Sequence, residues 1–127
     1  TQIYIADTFG ELNGFLAGAR FVVMGGSFEK FGGQNIIEVA RAGKAVIFGP
    51  HMDNFRSEAQ EFLAAGAAVQ VQDRTELAAQ LSNLLDDPAL AETIGNHGKA
   101  LVRRNADIAD KYYAELQKHC PLLADQA

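Results

Sequence analysis

The 127-residue chain has one cysteine, three prolines and no tryptophan. A single thiol, Cys120, cannot close an intrachain disulfide and cannot supply a cysteine-rich zinc site, and it fits a reducing, cytoplasmic setting. Beside Pro121 in a polar C-terminal stretch, it reads as an incidental thiol rather than a nucleophile. A basic excess is also missing: eleven Lys and Arg stand against sixteen Asp and Glu, a net charge of −5. Nucleic-acid binding needs a cationic face, so no nucleic-acid partner is expected, and an anionic ligand has to be held by local groups. No apolar run reaches the roughly 18 residues of a membrane span, and no signal peptide opens the chain. A Gly-x-Ser-x-Gly elbow, a Walker loop and a metal-spaced histidine pair are absent, which excludes the hydrolase, P-loop and zincin chemistries built on them. His97 and His119 are assigned no metal, and no cofactor is expected.

What is present is an α/β pattern. Four short apolar runs, Ile3 to Ala6, Phe21 to Met24, Ala45 to Phe48 and Ala68 to Val71, each precede a segment of helical period. The runs do not alternate with polar residues, as expected of parallel strands covered on both faces by helices. This predicts a Rossmann-like parallel sheet. Helices are expected over Gly33 to Ala42, closing at Gly43; over Phe55 to Ala65, capped by Asn54; and over Glu76 to Leu85, capped by Asp73. Asp87-Pro88 opens another, interrupted at Gly95 and Gly98. A last helix over Ala106 to Lys118 carries Ile108, Tyr112 and Leu116 on one face. The chain divides into a Rossmann-like unit, 1–105, and a C-terminal helix and tail, 106–127. The start at Thr1, close to an apolar run, reads as a cut.

The chemistry is concentrated between Val23 and Phe55, where six glycines separate a strand, a helix start and a second strand. Glycine lets backbone N–H groups approach an oxyanion without Cβ obstruction, and a following helix aims its free donors at the same point. Gly25-Gly26-Ser27-Phe28 and Gly32-Gly33-Gln34-Asn35 thus form a candidate anion cradle, although tight βα turns would use glycine as well. Glu38 either complements its helix N-terminus or grips the vicinal hydroxyls of a ribose. Asp7-Thr8-Phe9-Gly10-Glu11-Leu12 leaves a strand at the edge where open parallel sheets bind ligands. There Thr8 and Glu11 can form a capping box while the backbone reads a base. In Gly49-Pro50-His51-Met52-Asp53-Asn54-Phe55, His51 is either solvated or a phosphate donor. Arg41, Lys44 and Arg56 read as solvent-facing.

In this order these motifs resemble the C-terminal part of 3-deoxy-D-manno-octulosonic acid (Kdo) transferases. The residues are Asp7-Thr8-x-Gly10-Glu11-Leu12, Gly25-Gly26-Ser27-Phe28, Gly32-Gly33-Gln34-Asn35-Ile36-x-Glu38 and Gly49-Pro50-His51-Met52-x-Asn54-Phe55. The resemblance covers about Gln2 to Gln80, and Gln34 stands where a histidine is often seen. It implies a partial C-terminal, donor-nucleotide domain of a GT-B glycosyltransferase. Phe9 and Gly10 would offer backbone to cytosine; Gly26, Ser27, Phe28 and Gly33 would face phosphate or the Kdo carboxylate, Asn35 would assist, and Glu38 would hold the ribose. The implied partners are CMP-Kdo and a lipid A acceptor, at the cytoplasmic face of the bacterial inner membrane. Membrane contact would be made through an N-terminal domain lying outside this sequence. No residue here is expected to be catalytic, and the piece alone is expected to be inactive. Its open sheet edge is expected to re-pair the Ile3 strand or to form a homodimer. Two other readings stay open: another GT-B enzyme or sugar-nucleotide epimerase domain, and a non-catalytic flavodoxin-like binding module.

Overall fold

In the computed structural model, which describes Ile5 and residues 11–120, three strands form a parallel sheet in the order β1-β2-β3. They are β1 (Phe21–Met24), β2 (Ala45–Phe48) and β3 (Ala68–Gln70). Phe21 pairs with Ala45 and Met24 with Phe48, while Val46 pairs with Ala68 and Phe48 with Gln70. The helices are α1 (Leu12–Gly18), α2 (Ile37–Arg41), α3 (Arg56–Ala64), α4 (Arg74–Asp86) and α5 (Pro88–His119).

Side chains alternate across a strand, so β2 feeds both faces of the sheet. Val46 and Phe48 point into a core with Leu16, Ile36, Val39, Phe62 and Leu101, whereas Ile47 points into a second with Val71, Leu84 and Ala91. Every residue of β2 is buried, which is why its sequence is apolar throughout. Burying Phe48 or Phe62 contributes roughly 1.5–3 kcal/mol. Helix α5 joins both cores, with Ala91 in one and Leu101 in the other.

The runs Phe21 to Met24 and Ala45 to Phe48 are strands with the expected ends, and β3 stops one residue early, at Gln70. Asp73 caps α4 as expected, its Oδ1 accepting the Glu76 N–H at 2.9 Å, while Glu76 Oε2 accepts the Gln72 N–H at 2.7 Å. That reciprocal pair starts the helix at Arg74, two residues before the expected Glu76.

Three helix expectations need correction. The segment expected to be helical from Gly33 to Ala42 is helical only over Ile37–Arg41, because Gly32 and Gly33 take φ values of 84° and 83° and turn the chain first. Asn54 does not cap α3; its Nδ2 donates to the Phe31 carbonyl at 3.4 Å, and α3 begins at Arg56 without a side-chain cap. The helix expected to break at Gly95 and Gly98 and restart at Ala106 is one unbroken element of 32 residues. A Cβ on Gly95 would overlap the Gly43 carbonyl oxygen, and one on Gly98 would lie 3.3 Å from Ala40 Cβ. These glycines allow close packing rather than interrupt the helix. Of the expected Ile3 to Ala6 strand only Ile5 is described, and it is exposed and outside any strand; the rest lies outside the described residues.

Candidate functional site

Parallel strands place all their carboxyl ends on one edge, and the loops leaving β1 and β2 meet there. The Gly25–Ser27 turn follows β1, and the Gly32–Asn35 loop lies directly against it, with the Gly33 N–H donating to the Gly26 carbonyl at 3.2 Å. The loop after β2 is tied to both. His51 N–H donates to the Ser27 carbonyl at 2.8 Å, and Asn54 N–H donates to the Gly32 carbonyl at 3.0 Å. From β3, Gln70 Nε2 reaches the Gly49 carbonyl at 3.3 Å.

Ser27 is the knot of this edge. Its hydroxyl donates to the Met24 carbonyl at 2.5 Å and accepts the Gly49 N–H at 2.7 Å. The residue is wholly buried. The hydroxyl thus braces the ends of β1 and β2, while the residue itself stays in the turn expected to face an anion. Asn35 is also engaged locally, its Oδ1 accepting the Ile37 N–H at 2.9 Å. The N–H groups of Gln34, Asn35 and Ile36 make none of the hydrogen bonds among the described residues. Gln34 and Asn35 are exposed, so their N–H groups can meet a ligand, whereas Ile36 is wholly buried. Helix α2 has only five residues, so its dipole adds little, and the loop amides carry any anion binding.

Glu38 lies in the first turn of α2 with its carboxylate 3.5 Å from Arg41 Nη1 and its side chain 44% exposed. It lines a hollow of about 340 Å³ between α1 and α2, with Asn13, Ala17, Arg41 and Ala42. None of the glycine-loop residues lines that hollow. The structure therefore brings Gly26, Ser27, Phe28, Gly33 and Asn35 to one edge and sets Glu38 in the neighbouring hollow. Phe9 and Gly10 lie outside the described residues, as does the Thr8 half of the expected capping box. A second cavity on the same edge, about 330 Å³, is lined by Pro50, Asp53, Arg56 and Gln70 among others. Sequence reading missed it; the polar Gln70 at the end of an otherwise apolar run is the signal that points there. Among the described residues no cluster of His, Cys, Asp or Glu could hold a metal ion, and no helix is long and apolar enough to cross a membrane.

Fold and edge together define a Rossmann-like α/β unit whose carboxyl edge is built from glycine loops. No protein-family model matches the chain. It is 36% identical over 105 residues to the 3-deoxy-D-manno-octulosonic acid transferase of Bordetella pertussis, covering 83% of this chain and 24% of that protein. The Rickettsia bellii transferase of the same name is 36% identical over 123 residues, 94% of this chain and 29% of that protein. Among solved structures, the C-terminal CMP-Kdo binding domain of WaaA from Acinetobacter baumannii superposes with a TM-score of 0.74 at 28% identity. That match covers 80% of this chain and 53% of that domain. The chain is thus a relative of the 3-deoxy-D-manno-octulosonic acid transferases, similar to their C-terminal part. It spans between 24% and 29% of the length of these two relatives.

Proposed function

We propose that the chain is the donor-binding part of a glycosyltransferase that moves Kdo from CMP-Kdo to lipid A in lipopolysaccharide biosynthesis. The observation that carries this reading is the likeness to a CMP-Kdo binding domain at 28% identity, with the glycine loops gathered at the sheet's carboxyl edge. In this reading the Gln34 and Asn35 amides, with the Gly26 N–H, hold the phosphate or the Kdo carboxylate, and Phe28 and Gly33, whose N–H groups bond to the Gly25 and Gly26 carbonyls, shape the turn around it. Asn35 and Ser27 shape that loop, Glu38 takes the ribose hydroxyls, and Phe9 and Gly10 meet the cytosine. The acceptor oxygen bonds to the anomeric carbon as the bond to the CMP phosphate breaks. Preorganised amides then stabilise the leaving charge.

The general base and the acceptor surface are assigned to the part of the relatives that has no counterpart in this chain, and with them the contact with the cytoplasmic face of the inner membrane. On that assignment the chain alone binds donor but transfers nothing. β1 is an edge strand with no described partner on one side, which supports pairing with the remainder of the domain or, in isolation, with a second copy. Sedimentation of the isolated chain as a dimer is expected; a monomer with β1 unpaired in solution rules that pairing out.

The donor reading is tested by calorimetric titration of the chain with CMP and with UDP-glucose. CMP is expected to bind, UDP-glucose not, and Glu38→Ala to weaken CMP about tenfold, equivalent to 1.4 kcal/mol, without lowering Tm. Equal binding of the two nucleotides would favour another GT-B enzyme or an epimerase domain. No binding of either would leave a non-catalytic module.

A further inference from the structure

At the opposite edge of the sheet, where the strands begin, a cavity of about 360 Å³ lies between the α2–β2 turn and the first turns of α5. Arg20 lines it from just before β1, Lys44 from just before β2 and Lys99 from α5, with Asn96 and Glu92. Three cations from three elements and one acid face one hollow, in a chain whose net charge is −5. Among the described residues none of these three cations forms an ion pair, although Arg41, Arg56 and Lys118 all do.

The floor of the cavity is fixed. Gly43 turns the chain with φ 74°, Lys44 N–H is bonded to the Val39 carbonyl at 3.2 Å, and Gly95 of α5 packs against the Gly43 carbonyl. Lys44 is half-buried, and the Lys99 side chain passes over Gly43. Like charges facing one hollow repel one another, most strongly where one of them, Lys44, is half-buried, and an anion placed between them removes the repulsion and gains charge-assisted hydrogen bonds.

We infer that this amino-edge cavity binds a phosphoryl group, carried either by a free small molecule or by a lipid headgroup. Its volume falls within the small-ligand range of roughly 300–1,000 Å³, and Asn96 adds a neutral donor beside the three charges. None of the glycine-loop residues lines it, and it shares only Ala42 with the Glu38 hollow, so the site is distinct from the donor reading.

The test is an amide chemical-shift titration of the full 127-residue chain with inorganic phosphate and pyrophosphate, alongside co-sedimentation with phosphatidylcholine vesicles with and without phosphatidic acid. Saturable shifts at Gly43, Lys44, Ala91 and Asn96 are expected, and binding to phosphatidic acid vesicles alone would identify the headgroup as the source. Arg20→Gln and Lys99→Gln, both at exposed positions, should each weaken binding about tenfold, and Arg74→Gln on α4 should not. The inference is overturned if none of phosphate, pyrophosphate and phosphatidic acid vesicles binds saturably, or if all three variants weaken binding alike, which is the signature of diffuse charge. Shifts caused by CMP at Gly26 and Gly33 report the donor site separately, so failure of one reading leaves the other standing.

Discussion

Replacing Ser27 with alanine removes the hydroxyl that joins the Met24 carbonyl to the Gly49 N–H, 22 residues beyond Ser27. The Gly49 N–H is buried and has no other acceptor among the described residues, so it loses its partner without gaining water. An unsatisfied buried donor costs about 1–3 kcal/mol, and the freed Met24 carbonyl adds roughly 0.5–1.5 kcal/mol. The expected destabilisation is therefore about 1.5–4.5 kcal/mol, or a Tm lowered by roughly 6–18 °C at about 4 °C per kcal/mol for a domain of this size. Urea unfolding of the chain measures it, with the slope m unchanged if only the native state is affected. Gly25→Ala is the control, since a Cβ there meets nothing within 4 Å and its φ is not positive. If Ser27→Ala is as mild as Gly25→Ala while CMP affinity falls, the brace is wrong and the hydroxyl faces the ligand.

Other substitutions separate close packing from helix propensity and capping. Gly95→Ala should destabilise by about 1–3 kcal/mol in thermal melts, because its Cβ meets the Gly43 backbone rather than a side chain that can move. Gly98→Ala meets only Ala40 and Ala67 at 3.3 Å and beyond, and gains helix propensity, so a net change within about 1 kcal/mol is expected. Gly33→Ala combines a left-handed φ with overlap on Met52 Sδ and should cost about 1–3 kcal/mol and weaken CMP binding, read by urea unfolding and calorimetry. Asp87→Ala removes the acceptor of the Leu90 N–H at 3.1 Å and should cost about 1 kcal/mol, checked by the same unfolding curves.

Features with a local physical cause were legible in the sequence. The β2 run is apolar because both sheet faces are covered there, whereas β1, at the edge, leaves Val23 exposed; Asp73 and Asp87 cap helices through N–H groups three residues away. Features decided by a distant partner were not. Asn54 is a plausible cap by position, yet Phe31, 23 residues away, takes its side chain. Gly95 and Gly98 read as helix breaks until Gly43 and Ala40 are placed beside them. At the candidate site, the motif residues identify the loops that meet at one edge, but Ser27 becomes a brace only through Gly49, and Glu38 faces a hollow completed by α1.

Every buried residue of α5 falls between Ala91 and Leu101, although the helix continues to His119. Val102 still packs half-buried on the core and Asn105 Nδ2 donates to Glu61 Oε1 at 3.0 Å, but beyond them the last 14 residues of the helix, at 1.5 Å each, extend about 21 Å with no buried residue among those described. One helix therefore has two stabilities. Amide exchange should be slow and coupled to global unfolding from Ala91 to Leu101, then quicken stepwise toward His119 as the turns fray independently.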